Sequence, residues 1–141
     1  ENIFFGTKSS LGSYNLASGY TNWLREINTT NTPIVNLNNM FVVTNNGFFI
    51  NLEKSSGKIL WATNILKILK NKKRKTKITG FVLGSDKIYT TTLNGYLIVS
   101  SAITGKVESF KKIGDTINAP PIINNSSLYI LTENFRIIGF K

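Results

Sequence analysis

The chain contains no cysteine and no histidine. Without cysteine it has no disulfide and no thiolate chemistry. Without either residue, the common nucleophilic triads and zinc sites cannot be assembled. Acids are also few: Glu1, Glu26, Glu53, Asp86, Glu108, Asp115 and Glu133 are scattered along the sequence, several in or beside turns. No two are spaced as a ligand pair for a hard cation. No apolar run approaches the ~20 residues of a membrane span. The opening "ENIFFGTKSS" has neither the basic start nor the apolar core of a signal peptide. It begins inside a strand-like run, Ile3 to Gly6, as a mature product or a piece of a longer chain would.

What is present is basic and rich in Asn, Ile and Lys. Seventeen Lys and Arg against seven acids give a formal net charge of +10 over 141 residues. Part of that charge reflects a biased composition. The excess still raises encounter rates with acidic proteins, nucleic acid or anionic lipid. The length suffices for one compact domain with a core.

The sequence repeats itself. "VTNNGFFINLEKSSGKILWA", from Val43, and "TTLNGYLIVSSAITGKVESF", from Thr91, share a Thr, an Asn-Gly, an apolar run and a Gly-Lys. Gly19, Gly57 and Gly105 head equivalent segments, with Trp23 and Trp61 four residues past the first two and Ser109 in the third. A Thr closes the β-like run upstream of each: Thr7, Thr44 and Thr92, with Thr132 closing a fourth. The tail "NFRIIGFK" then repeats "NGFFINLE" and "NGYLIVSS".

Each full unit holds four short segments rich in Ile, Val, Phe, Tyr and Thr, which suit a pleated, half-buried surface. Turn residues join them. Asn38-Asn39, Gly84-Ser85-Asp86 and Asn124-Asn125-Ser126 are read as joining the first pair of strands, Asn46-Gly47 and Asn94-Gly95 the second, and Ser56-Gly57 and Thr104-Gly105 the third. Four antiparallel strands in ~40 residues, repeated, is the pattern of a β-propeller blade. A β-sandwich of regular hairpins is the competing architecture, but it does not require Gly-x-x-x-Trp at matching places. The first unit lacks its innermost strand and the last its outermost. The fold class expected is therefore all-β: a partial β-propeller of about three and a half four-stranded antiparallel blades. It reads as a single segment over residues 1–141 of a larger, eight-bladed ring, with blades near 1–30, 31–77, 78–117 and 118–141. Within that repeat, Trp23, Trp61, Gly47, Gly57, Gly95 and Gly105 read as packing and turn positions, and Phe48, Phe49, Tyr96 and Tyr129 as strand aromatics.

The repeat resembles that of quinoprotein-type (PQQ-repeat) propellers, Gly-x-Leu-x-Ala-Leu-Asp-x-x-Thr-Gly-Lys-x-x-Trp. The matching positions are Gly47, Leu52, Gly57, Lys58 and Trp61, then Gly95, Gly105 and Lys106. Within that superfamily the chain most resembles the C-terminal half of the BamB family, propeller lipoproteins of outer-membrane β-barrel assembly. Its ending, "APPIINNSSLYILTENFRIIGFK", is similar to the last blade of such proteins, whose missing strand comes from the N-terminal end. The lipid-bearing N-terminal half is absent, and Ser109 departs from the outer-strand Trp. The resemblance implies a non-catalytic scaffold at the periplasmic face of the outer membrane. It also implies a protein partner, the central barrel subunit of the assembly machinery, and membrane contact only through a lipid anchor that this chain lacks. A sensor or adaptor propeller of another envelope or receptor protein is the alternative of the same kind. A fragment of a quinone-dependent dehydrogenase is the enzymatic one, and it rests on fold analogy alone.

No catalytic residue, cofactor site or metal site is assigned. One segment breaks the repeat: 31 positions separate Trp61 from Thr92, against 21 between Trp23 and Thr44. This insert, "NILKILKNKKRKTKITG" over 64–80, carries Lys67, Lys70, Lys72, Lys73, Arg74, Lys75 and Lys77. Ile65, Leu66, Ile68 and Leu69 are spaced for one or two helical turns capped by Asn64. The basic residues read as a docking site for an acidic protein surface or as a solvated loop. Nucleic acid is not expected as a partner, because like charges bind phosphate but the insert has no aromatic platform.

Overall fold

The computed structural model describes residues 1–29, 31–73 and 76–141, with the side chains of 70–73 left aside. Its described residues form fourteen strands in four antiparallel sheets, each a meander in chain order. The first sheet is β1 (Asn2–Gly6), β2 (Leu11–Asn15) and β3 (Thr21–Arg25). The second is β4 (Ile34–Asn36), β5 (Asn39–Val43), β6 (Phe48–Glu53) and β7 (Ile59–Asn64). The third is β8 (Ile78–Gly84), β9 (Lys87–Thr92), β10 (Tyr96–Ser101) and β11 (Val107–Lys112). The fourth is β12 (Ile122–Asn124), β13 (Ser127–Leu131) and β14 (Ile137–Phe140). The three-four-four-three strand count agrees with the partial propeller read from the repeats.

The chain divides into two compact units, Glu1–Asn64 and Ile65–Lys141. In the first, Leu11 and Trp23 of the first sheet, with Ile27, pack against Met40, Val42, Ile50 and Leu52 of the second. In the second unit, Leu97 and Val99 of the third sheet and Ile117 of the following link pack with Leu128 and Ile130 of the fourth. Alternation does this: side chains of a strand point to opposite faces in turn, so one set of every second residue is delivered to each neighbour.

The repeat persists in the hydrogen bonds. The outer hairpin carries a register shift at one place in each of the first three copies: between Ser13 and Tyr14, Asn51 and Leu52, Val99 and Ser100. Beyond it, the amide of Gly19, Gly57 and Gly105 donates to the carbonyl four residues back, at Asn15, Glu53 and Ser101 (2.9, 2.8 and 2.9 Å). All three glycines take positive φ (73°, 66° and 72°), which a Cβ would oppose. The side chains of Asn15 and Ser101 accept from amides inside their own turns, while Glu53 accepts from the hydroxyl of Ser56. Asn15 and Ser101 thus fill one acceptor role, while Glu53 holds its turn through the Ser56 hydroxyl.

One turn departs from the reading. Asn39 already belongs to β5, opposite Asn36, so the turn is Leu37-Asn38 and not Asn38-Asn39. Register decides this: a slip of one residue would turn Met40 and Val42 away from the core. Leu37 consequently takes φ 51° and is 79% exposed.

Candidate interaction surfaces

The second turn of each repeat is built around its Thr. Thr44 Oγ1 accepts from the amide of Phe48 and Thr92 Oγ1 from that of Tyr96, both at 3.0 Å. The Gly47 and Gly95 amides donate to the carbonyls of Thr44 and Thr92, both at 2.9 Å. Both glycines are buried and have positive φ (80° and 77°). In the last copy the same place is held by Phe135, whose amide donates to the Thr132 carbonyl at 3.0 Å and whose φ is 58°.

In the first unit these turns border an open cleft of about 250 Å³, lined by Glu26, Ile27, Asn28, Thr44, Asn46, Phe48 and Ile50. Buried Thr29 holds the strand-to-strand link there. Its amide donates to the Thr7 carbonyl at 2.8 Å and its hydroxyl to that of Val43 at 2.8 Å. Phe48 heads β6 yet is exposed, so it does not pack as its strand position suggested. The sequence reading missed the cleft. Its signals, Glu26-Ile27 after a repeat Trp and an aromatic directly after Asn-Gly, acquire meaning only once the strands are paired.

Trp23 is buried, its indole against Gly57, with Nε1 donating to the Lys54 carbonyl at 3.0 Å. Arg25 donates from Nε to the Gly57 carbonyl at 3.0 Å and from its guanidinium to that of Ser56 at 3.0 Å. Trp61 lies on the opposite face of its sheet, with ring centroids 6.2 Å from Phe41 and 4.9 Å from Phe49. Where a third Trp would stand, the sequence has Ser109, and the neighbouring Phe110 is exposed, 6.3 Å from the Tyr96 ring.

The insert forms a 3₁₀ helix, Ile65–Lys73. Ile65, Leu66 and Leu69 are buried, while Lys67 and Ile68 are exposed. Asn64 does not cap it: Asn64 pairs with Phe48 in the β6–β7 ladder, and its Oδ1 has no hydrogen-bond partner among the described residues. After the helix, Thr76 Oγ1 accepts from Asn94 Nδ2 at 2.8 Å, and the carbonyl of exposed Lys77 accepts from the Leu93 amide at 2.7 Å. Both ends of the insert are therefore anchored. Arg74, Lys75 and the side chains of Lys70, Lys72 and Lys73 lie outside the described residues. Across the second unit Lys112 donates to the Asn94 carbonyl and stands 4.9 Å over the Tyr96 ring. Arg136 pairs with Asp115 at 3.3 Å, and Lys87 with Glu108 at 2.9 Å. Among the described residues no three acids converge as a metal site would require.

Comparison with known proteins follows the same lines. The family described as outer membrane protein assembly factor BamB matches residues 1–63. No curated protein matches the sequence. BamB from Moraxella catarrhalis is similar in structure, with a TM-score of 0.74 at 18% identity over 99% of this chain and 42% of that one. Quinohemoprotein alcohol dehydrogenase from Comamonas testosteroni gives 0.76 at 13%, over 93% and 27%. BBS1N, solved in complex with ARL6DN, gives 0.73 at 10%, over 99% and 46%. The chain thus spans less than half the length of each. One of these proteins is an enzyme and another was solved with a protein partner, so the likeness carries architecture and not activity. With four meander sheets, repeat turns and these neighbours, the chain has the fold of a PQQ-like β-propeller, of which it forms a part.

Proposed function

We propose that this chain is a non-catalytic scaffold propeller that mediates protein–protein contacts in outer-membrane β-barrel protein assembly, at the periplasmic face of the outer membrane. The observation that carries the reading is the match of residues 1–63 to outer membrane protein assembly factor BamB. The chemistry agrees with it: meander sheets, no histidine or cysteine, scattered acids and one basic insert suit docking better than catalysis. The proposed blades span 1–30, 31–77, 78–117 and 118–141.

The docking element in this proposal is the basic insert, with Lys67, Lys70, Lys72, Lys73, Arg74, Lys75 and Lys77 facing an acidic surface on the partner. Its buried Ile65, Leu66 and Leu69 fix the start of the segment on the fold, and loops held on a rigid scaffold are where binding residues concentrate. The test is replacement of Lys72, Lys73, Arg74 and Lys75 by Gln in the complete protein, followed by capture of the assembly barrel subunit over a salt series. Docking through the insert predicts weaker binding with a flatter salt dependence. Unchanged affinity across the series would remove the insert from the interface. The proposal includes no quinone, so a stoichiometric quinone absorbance band in purified protein would count against the scaffold reading itself.

A further inference from the structure

The sequence holds two Asn-Gly pairs, Asn46-Gly47 and Asn94-Gly95, at the same place in successive repeats. An asparagine before glycine is open to attack by the next amide nitrogen, because glycine has no Cβ to hinder the approach. The two turns share a backbone. Each glycine has positive φ, 80° and 77°, and each donates its amide to the carbonyl of the repeat Thr at 2.9 Å. Whatever separates the two asparagines therefore lies outside that common framework.

Asn94 is clamped. Its Oδ1 accepts from Thr92 Oγ1 at 2.8 Å, and its Nδ2 donates to Thr76 Oγ1 at 2.8 Å. The Asn94 carbonyl accepts from Lys112, and the Gly95 carbonyl from the Ile113 amide at 2.8 Å. The carbonyl of Asp115 closes the space where a Cβ of Gly95 would stand. Among the described residues, none of these bonds has a counterpart at Asn46-Gly47. Asn46 is exposed where Asn94 is half-buried, and it lines the cleft together with Glu26 and Phe48.

We infer that Asn46 is a site of spontaneous deamidation and that Asn94, in the same turn, is held back from it. The Gly47 amide nitrogen gives its proton to solvent hydroxide and attacks Cγ of Asn46. The N–Cγ bond forms, the Cγ–Nδ2 bond breaks, and the leaving nitrogen takes a proton from water to depart as ammonia. Water then opens the cyclic imide. Attack at Cγ gives aspartate, and attack at the main-chain carbonyl gives isoaspartate. One water is consumed and one ammonia released, with nothing oxidised or reduced. Ring closure requires the Asn side chain to turn and the Asn–Gly peptide to rotate. At Asn94 this breaks both side-chain hydrogen bonds, which at ordinary net strength slows the reaction by roughly tenfold or more. At Asn46 only the Gly-to-Thr bond common to both turns is lost. The product puts a second carboxylate into a lining whose one charge is Glu26, so the cleft becomes more acidic on a chain of net charge +10.

The test is a time course of the 141-residue chain at mildly alkaline pH, with digestion and mass spectrometry of the peptides carrying residues 46 and 94. Asn46 should convert roughly tenfold faster than Asn94 or more. In urea the two rates should draw together, because both asparagines precede glycine and the clamp is gone. Thr76→Val removes the Nδ2 contact, and with circular dichroism unchanged it should speed Asn94 several-fold and leave Asn46 as it was. The inference is overturned if the folded chain converts Asn94 as fast as Asn46, or if Asn46 stays intact while the unfolded chain reacts. It is equally overturned if the native ratio persists in urea or if folded Thr76→Val leaves Asn94 unchanged.

Discussion

The Trp23 indole lies flat on Gly57: a Cβ built on that glycine would stand 2.5 Å from Cε3 and 2.6 Å from Cδ2 of the ring. Glycine is needed there twice, once for φ 66° and once for the ring. Gly19 occupies the same turn position with φ 73° and nothing within 4 Å of its Cβ site. Gly19→Ala should therefore cost only the left-handed strain, about 1 kcal/mol. Gly57→Ala should cost that plus an overpacking penalty of about 1–3 kcal/mol. Urea unfolding of the two variants gives the difference, and equal costs would mean that the ring moves aside freely.

In the second unit a Cβ on Gly80 would collide with Cα and Cβ of Pro120. These atoms cannot swing away as a side-chain tip can. Gly80→Ala should destabilise by about 1–3 kcal/mol. The cost should fall in a Pro120→Gly background, so a double-mutant cycle measures the contact directly.

Phe135 and Leu37 hold positive φ (58° and 51°) without being glycine, and Phe135 is 90% exposed. Phe135→Gly gives up almost no packing and matches Gly47 and Gly95 of the other copies. Relief of the left-handed strain, less the added freedom of the unfolded chain, should leave a net gain of about 0.5–1 kcal/mol. Leu37→Gly should behave alike. Denaturation midpoints check both, and a loss on substitution would show that the side chains contribute packing.

Lys87 has its pKa raised above the ordinary 10.5, first by its hydrogen bond to Glu108 and then by the charge of that carboxylate. A raised lysine pKa stabilises the fold below the unfolded value of 10.5, and the contribution is lost as pH rises through the folded value. It is therefore present at neutral pH and small, because the pair is solvated and screened. An NMR titration of the Lys87 side chain should show the upward shift, its loss in Glu108→Gln and its weakening in salt.

Much of this architecture was legible because the sequence writes it more than once. The Asn-Gly and Gly-Lys turns, the Thr that precedes them and the Trp at a fixed distance announced meander sheets before any coordinate. Strand register within a turn was less legible. Leu37 and Phe135 carry positive φ on residues that give no compositional hint of it, so the β4–β5 turn was read one residue late. The helical reading of Ile65 to Leu69 was correct in place, but the structure has a longer 3₁₀ helix, and Asn64 stays in the sheet ladder where a cap was expected. The cleft by Glu26 and Phe48 depends on which strands become neighbours, and that is a tertiary fact. Of the seven basic residues in the insert, Lys67 and Lys77 have side chains among the described residues, and both are exposed.

Among the described residues every ladder joins a strand only to its neighbour in the sequence, and the widest pairs, Phe48 with Asn64 and Tyr96 with Lys112, still close short loops. That is a kinetic property. Loop-closure entropy is small for each hairpin, so a sheet can zip up from its own turn without waiting for distant chain. The slow event left is the docking of finished sheets, when Trp23 meets Gly57 and Ile130 meets Leu97. Hydrogen-exchange labelling during refolding should find the β5–β6 and β9–β10 amides protected before the Trp23 fluorescence reaches its native value. During synthesis the chain would then mature one sheet at a time, each exposing an apolar face until the next arrives.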